Sequence, residues 1–506
     1  MVNVIKSYFP IFVATALLSK LKHISISQLF SLLIKISELN PDFDNLIPII
    51  YERCSFFEQL PNLSRWLTDK NIQQAKEKAQ RWLQNGIFVL IMEENQQIFF
   101  AQGNQDILNF PTATILNSRK IRSVRPTDQW LQVTIRLTQQ AIEENFTIVS
   151  SLGMLTYEIV TFMAKKQNSK IIIILDGYLP GVLSLELQNA FYSKFNNMFD
   201  LKNTLFVSPF LPEIKLPSRP ERLAKRDYWV VTLAKHLFIA EVRANGNIQK
   251  LAIERLSKDQ KIMVFRPIKF DCNTRGNQKL LTVAAKEIIY NDIDQSIPPE
   301  FSKEITLSQR PLVDLSQYLF HYTRACPSPW PGQLLAEYIQ SLLENESNAN
   351  HTSFDTLCRI LKEKLIRANN RFVRVKTPIV SFTVCLPTEL NKIRKWNSAL
   401  IRWTFEPYGI GIRKSVLEKM GVKSVIYAAE DEFKKLVNAD QFRFQLHQPP
   451  KTNWSLEKEW RIQGDINLSH ISLEDIVIIV STHQEAEIVH KQFSLSVILA
   501  SYTSFK

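Results

Sequence analysis

Hydrophobic residues follow two rhythms along the chain. Between Phe12 and Cys54 they recur at intervals of three and four, at Leu17, Leu18 and Leu21, then at Leu29, Leu32, Leu33 and Ile36. That spacing predicts amphipathic helices. The segment DKNIQQAKEKAQRWLQNG predicts another, stopped by Asn85 and Gly86. IFVLIM and IFFAQG read as strands. From Ala113 the rhythm becomes an alternation: the apolar runs ATILNS, FTIVSS, KIIIIL, TLFVSPF, LFIAEV and IMVF, expected as strands, are separated by helical stretches such as DQWLQVTIRLTQQAIEEN and LTYEIVTFMAKKQ. Strands apolar on both faces that alternate with helices predict a doubly wound parallel sheet.

After Arg266 the character changes. LTVAAKEIIYND and SIPPEFSKEITLSQRPLVD read as an interdomain connection. From Tyr318 short strands and helices mix without strict alternation, and FDTLCRILKEKLIRANN predicts a helix with Leu357, Ile360, Leu361 and Leu365 on one face. The fold class expected is α/β: a helical N-terminal region (1–105), a doubly wound Rossmann-like parallel sheet domain (106–270), a connecting segment (271–317) and a separate α+β C-terminal domain (318–506).

Composition narrows the classes of function. Of 506 residues, 45% are apolar and 22% charged, which is ordinary for a globular protein. The 62 basic residues outnumber the 49 acidic ones, a net charge of +13 that favours an anionic partner, a nucleotide or single-stranded nucleic acid. Cys54, Cys272, Cys326, Cys358 and Cys385 lack C-x-x-C spacing, so no metal site is expected and the thiols read as free in a reducing compartment. The apolar run Ile11 to Leu18 is too short to span a bilayer, and no cleavage pattern follows it. It reads as a core helix of a cytoplasmic protein with no membrane partner. Arg359 to Lys376 holds seven basic residues against one acid, Glu363, and Arg394, Lys395, Arg402, Arg413 and Lys414 lie near Trp396 and Trp403. Basic residues interleaved with aromatics suit single-strand binding; a solvated helix face over core tryptophans fits the same pattern. Trp454 and Trp460 are expected in the core.

Four turns carry the candidate ligand chemistry of the middle domain. ILNSRK, IVSSLGM and IILDGYLP follow three successive strands, and LAKRDYWVVTLAKHLFIAEVRANGN comes later. In this order they resemble the Rossmann-like domain of the DprA/Smf DNA-processing family, which carries strand-G-S-R, strand-S-G before a helix, strand-x-x-G-x, and R-N-R ahead of a strand ending in E-A. The matching residues are Ser118, Arg119, Ser150, Gly153, Gly177, Arg226 and Glu241, and the resemblance spans about residues 10–270. Asn117, Ser151 and Asp227 depart from it, replacing two glycines and an asparagine. A glycine lets backbone approach a phosphate closely, so these departures bear on phosphate binding. The family implies single-stranded DNA as ligand; relatives of the same fold bind nucleotides, some as sensors in bacterial defence. On that footing Ser118, Arg119, Ser150, Gly153 and Arg226 are expected around one crevice, towards phosphate. Asp176 and Gly177, at a sharp turn, are expected near sugar or base, because the Asp176 charge repels phosphate. The alternatives are that Asp176 caps its own turn and that the scaffold keeps its shape without a ligand.

The C-terminal domain presents YLFHYTRACPSPWPGQ, IVSFTVCL, PYGIGIRKSVLEK and WSLEKEWRIQGDI. The series resembles the H-Y-T, S-F-T, Y-G-I-G and E-x-E-W-R layout of AbiG-type abortive-infection proteins over about residues 318–480, and these look distantly like ADP-ribosyltransferases. Carried over, the catalytic candidates are His321, Ser381 and Glu459, with NAD as the cofactor they imply: the histidine bonding a ribose, the serine orienting it, the glutamate stabilising an oxocarbenium-like charge; the alternative is a structural network in which His321 and Glu459 satisfy each other or Arg461. The function expected is a bacterial defence protein with a ligand-binding Rossmann domain and a C-terminal effector. The alternatives are a non-catalytic single-stranded DNA-binding protein of the DNA-processing type and an adaptor built from two degenerate folds. A homo-oligomer stays open.

Overall fold

The computed structural model describes residues 2–4, 8–19, 26–39, 41, 43–55, 66–92, 97–118, 124–256, 261–283, 285–291, 293, 305–307, 313–346, 349–370, 373–397, 402–450 and 453–502. The chain divides into two compact units: Met1–Arg119, Pro126–Gln295 and Gln333–Asn345 form the first, and Lys120–Arg125, Ser296–Gly332 and Glu346–Lys506 the second.

The first unit opens with β1 (Val2–Val4), helices α1 (Phe9–Leu18), α2 (Ile26–Leu39), α3 (Phe43–Ser55) and α4 (Asp69–Gln84), and the hairpin β2 (Ile87–Met92) and β3 (Gln97–Gly103). The alternating part follows: β4 (Thr112–Leu116), α5 (Gln129–Glu143), β5 (Thr147–Ser151), α6 (Leu155–Lys166), β6 (Ile171–Ile174), α7 (Leu185–Ser193), β7 (Thr204–Ser208), α8 (Arg219–Leu233), β8 (His236–Ile239), α9 (Asn247–Leu256), β9 (Lys261–Phe265), α10 (Arg275–Thr282) and β10 (Lys286–Ile288). The sheet order is β1-β2-β3-β7-β6-β5-β4-β8-β9-β10. From β7 to β10 every ladder is parallel, while β1, β2 and β3 pair antiparallel and β3 joins β7 antiparallel. The chain steps outward from β4 to β7 and then returns to lay β8 beside β4. This doubly wound order puts the ligand crevice of such sheets where the direction reverses, between β4 and β8.

The apolar runs dictate this arrangement. Ile171 to Ile174 have no exposure and fill the cores on both faces of the sheet, each contributing about 2–3 kcal/mol by leaving water. Helix α1 is buried almost all round, and Thr15 stays inside it by donating to the Ile11 carbonyl at 2.7 Å. Among the described residues no helix is long and apolar enough to cross a membrane. Two boundaries differ from the pattern read in the sequence. The strands β2 and β3 form at IFVLIM and IFFAQG, as the sequence predicts, but their hairpin joins the sheet through β7, so the division at residue 105 cuts one sheet. Residues expected as a connection include α10 and β10, which complete the sheet: Asn277 donates to the Ala240 and Phe265 carbonyls at 2.8 Å and accepts the Val242 N–H at 2.7 Å. Gly276 allows this approach, since a Cβ there would meet the Val242 carbonyl oxygen at 2.4 Å. Helix α11 (Leu335–Leu343) also belongs to this unit, where Lys166 bonds Gln340 at 2.9 Å.

The second unit contains β11 (Ile305–Leu307), β12 (Tyr318–Tyr322), α12 (Ser353–Glu363), β13 (Leu365–Ile366), β14 (Ile379–Thr383), β15 (Trp396–Asn397), β16 (Arg402–Trp403), β17 (Gly409–Arg413), α13 (Lys414–Lys419), β18 (Lys423–Ser424), β19 (Ile426–Ala428), α14 (Glu430–Phe433), β20 (Phe444–Leu446), β21 (Glu459–Gln463), β22 (Ile466–Asn467), β23 (Ile476–Val480), α15 (His483–Phe493) and β24 (Ser496–Tyr502). Eight of the strands form one sheet in the order β11-β24-β23-β17-β12-β14-β21-β18, antiparallel except for β23 with β24. Helix α12 starts at a capping box of Thr352 and Asp355 and ends at Lys364, whose φ of 51° is left-handed. Leu365 therefore enters a strand instead of continuing the apolar helix face. Trp454, expected in the core, is 43% exposed, whereas Trp460 packs against it.

Candidate functional site

In the first unit, several of the ligand residues suggested by the sequence are bonded within the protein. Ser150 has no exposure; its hydroxyl donates to the Tyr157 carbonyl at 3.0 Å and accepts from Thr161 at 3.1 Å. The Ser151 hydroxyl donates to the Ile174 carbonyl at 2.6 Å. These serines tie β5 to its neighbours instead of facing a ligand. Gly153 has φ +82°, which a side chain rarely adopts, and the Glu158 carboxylate accepts its N–H at 3.0 Å. The chain's own anion thus occupies a donor that a phosphate would use. Arg226 is 3% exposed: Nε and Nη2 donate to Asp227 Oδ1 at 3.0 and 2.8 Å, and Nη1 donates to the Leu152 carbonyl at 3.0 Å. The same Asp227 oxygen accepts the Tyr157 hydroxyl at 3.2 Å. Burial pushes the Asp227 carboxyl up while the Arg226 charge opposes that shift. An aspartate where the resembled family has asparagine neutralises the arginine, so Arg226 is a structural brace of this turn.

At the reversal between β4 and β8, Ser118 donates its backbone N–H to the Glu241 carbonyl at 2.8 Å, and its hydroxyl oxygen accepts the Arg243 N–H at 3.0 Å. Its hydroxyl proton makes no bond among the described residues. Asn117 has no exposure, and its side-chain oxygen and nitrogen find no hydrogen-bond partner among the described residues. Arg119 lies outside them. Asp176 and Gly177 are half-buried at the end of β6, with the Gly177 carbonyl accepting from Ser208 at 2.8 Å. The turn does not require a glycine there: φ is outside the left-handed region, and a Cβ would meet only Leu216, at 3.8 Å.

In the second unit, consecutive bonds join the three catalytic candidates. The β12–β14 ladder has one pair, Phe320 with Thr383, and the His321 ring bonds the neighbouring strand, Nδ1 to the Ser381 carbonyl at 2.9 Å. A carbonyl can only accept, so Nδ1 carries the proton and Nε2 is left as an acceptor. The Ser381 hydroxyl donates to Glu459 Oε1 at 2.6 Å. Arg461, 3% exposed, clamps both Glu459 oxygens from Nε and Nη2 at 2.9 Å. Burial pushes the His321 imidazole below its usual range, so it is neutral at pH 7.

Three neighbours escaped the sequence reading. The Arg324 charge acts on His321 and also on Glu457, Glu459 and Glu406. Its Nε donates to the Thr404 carbonyl at 2.6 Å, and its terminal nitrogens make no bond among the described residues. Burial, reinforced by the Glu459 charge, lifts Glu457 to about 7. Tyr427 accepts the Glu459 N–H at 2.8 Å. The only sequence signals were the E-K-E spacing and an arginine three residues after His321.

Part of the basic tract is matched. Arg359 and Arg367 both pair with Glu363, at 2.7 and 3.2 Å, and Arg374 pairs with Glu430. Arg394 lies over Trp403, Arg413 pairs with Asp475 at 2.6 Å, and Lys414 lies over Trp460. The side chains of Arg402 and Trp396 are outside the described residues. Among the described residues no group of His, Cys, Asp or Glu could hold a metal ion.

Comparison with known proteins gives little beyond this. No family model and no curated protein matches the chain. Solved structures that are similar to it in part include two DNA processing proteins. DNA processing protein A (DprA) from Streptococcus pneumoniae is 14% identical, with a TM-score of 0.37 over 56% of this chain and 94% of that one. DNA processing protein A from Helicobacter pylori, solved for its single-stranded DNA binding mode, is 16% identical, with a TM-score of 0.29 over 38% of this chain and 81% of that one.

Proposed function

We propose that the chain is a two-part bacterial defence protein, in which the second unit cleaves the nicotinamide–ribose bond of NAD, as an ADP-ribosyltransferase-like enzyme, and the first binds a nucleotide or single-stranded DNA. The bonded set His321, Ser381 and Glu459 carries the enzymatic reading. The groups present fit NAD. Nε2 of neutral His321 accepts a ribose hydroxyl, and the uncommitted nitrogens of Arg324 suit a pyrophosphate. Glu459, fixed by Ser381 and Arg461, faces the positive charge that grows on the ribose as the bond breaks. The electron pair of that bond leaves with nicotinamide, which departs neutral. The attacking oxygen bonds the ribose carbon and gives its proton to Glu457, whose pKa of about 7 suits a general base.

NAD should therefore raise the melting temperature of the wild type and leave that of His321→Ala unchanged. An equal shift in both, or none in the wild type with single-stranded DNA present, counts against the reading. The net charge of +13 favours a second reading, a non-catalytic single-stranded DNA-binding protein. It predicts salt-dependent DNA binding with no effect of NAD.

A further inference from the structure

With Ser150 and Arg226 committed inside the first unit, its cations for a phosphate must come from elsewhere. Two such groups lie one turn apart on α8, on one face of the helix, and neither has an acidic partner among the described residues. The Nε of Arg222 is buried with no acceptor there. A buried donor without a partner is costly, most of all on a charged group, unless an anion or water completes it. The Arg222 charge acts on the phenol of Tyr178, which places it by the loop that leaves β6 at Asp176 and Gly177. Glu213, the acid that also acts on Tyr178, is held by Lys78 at 2.5 Å. Lys225 has its ammonium 5.3 Å from the centre of the Phe210 ring and 5.4 Å from that of Phe30. The rings strip it of water, and burial pushes its pKa down. No carboxylate or carbonyl among the described residues takes its three N–H bonds.

We infer that Arg222 and Lys225 are the phosphate-binding pair of the first unit and take the phosphate ester of a nucleotide or of a single-stranded nucleic acid beside the loop that leaves β6. This rests on the ligand-binding role proposed above for that unit and moves the phosphate away from Ser150 and Arg226. A guanidinium with a free edge and a partly dehydrated ammonium match the oxygens of one phosphate, and that anion would complete the Arg222 Nε.

The test compares wild type, Arg222→Gln, Lys225→Gln and the charge-preserving Arg222→Lys in the full chain. Three probes are used: an oligo-dT strand, ATP and inorganic pyrophosphate, the last read as a melting shift against each variant's own baseline. Each glutamine variant should bind the preferred probe about ten-fold or more weakly, with Arg222→Lys intermediate. For oligo-dT, the slope of log affinity against log salt should fall by about 0.7 per lost contact. Preference for oligo-dT or for ATP identifies the source of the phosphate. Unchanged affinity in both glutamine variants overturns the inference and leaves the unit's binding role standing. Stabilisation by pyrophosphate alone, lost in the variants, upholds the pair and refutes that role. A wild type that responds to none of the three probes refutes both.

Discussion

Replacing Asp227 by Asn tests the finding that Arg226 is a brace and not a ligand contact. The substitution keeps an oxygen that can accept from Nε and Nη2 at 3.0 and 2.8 Å, but it removes the charge that balances a guanidinium only 3% exposed. Removing one partner of a buried pair costs about 3–5 kcal/mol. Because the hydrogen bonds survive and Asp227 keeps some exposure, the cost falls below that range, at about 2–3 kcal/mol. At about 2–4 °C per kcal/mol, the melting temperature should fall by roughly 5–10 °C. The unbalanced charge of the guanidinium should also raise the affinity for pyrophosphate above that of the wild type. Calorimetry of the full chain, with and without pyrophosphate, measures both effects. An unchanged melting temperature together with unchanged anion affinity would refute the brace.

Other outcomes follow from single contacts. Gly276→Ala drives a Cβ to 2.4 Å from the Val242 carbonyl oxygen and should cost about 3 kcal/mol or more, whereas Gly177→Ala should stay within about 0.5 kcal/mol in denaturant titrations. Asn117→Ala removes two polar atoms that find no partner among the described residues and should raise stability by about 1 kcal/mol in the same titrations. Glu457 is held at about 7 against an ordinary 4.5, so the folded state binds more protons between those values, and stability falls as pH rises from about 4.5 to 7. Discounted for partial exposure, that fall is roughly 2 kcal/mol, and melting curves of Glu457→Gln across this range should lack it.

The alternation of the middle domain was legible because Ile171 to Ile174 and their counterparts are buried on both faces, and burial is what apolar runs record. Helix α1 was read correctly for the same reason. Residue roles within turns were not legible. Ser150, Gly153 and Arg226 sit at the strand ends where the pattern put them, but whether a hydroxyl or guanidinium faces a ligand depends on partners outside the motif: Tyr157 and Thr161 on the following helix for Ser150, and Leu152, 74 positions away, for Arg226. The replacement of asparagine by Asp227 was visible; its effect required the geometry of the Arg226 fork. His321, Ser381 and Glu459 lie 60 and 78 positions apart and are joined by the pairing of β12, β14 and β21. Motif order pointed to them. Arg461 stood in the same motif as Glu459 and Arg324 three residues after His321, but the charge that they set around the candidates required the geometry. Leu365 and Trp454 were misplaced because periodicity does not register a left-handed residue such as Lys364 or an exposed loop.

In the proposed reaction Glu459 stabilises the charge that grows on the ribose as nicotinamide leaves. Nicotinamide release from NAD by the purified full chain, assayed with single-stranded DNA or ATP present, measures it directly in wild type and in Glu459→Gln. Loss of such a group costs about 100- to 1,000-fold in rate. A loss of that size is expected in a Glu459→Gln variant that keeps its circular dichroism spectrum and its binding of single-stranded DNA or ATP. Release by Glu459→Gln at the wild-type rate, or no release by the wild type under any of these conditions, would contradict the proposed reaction.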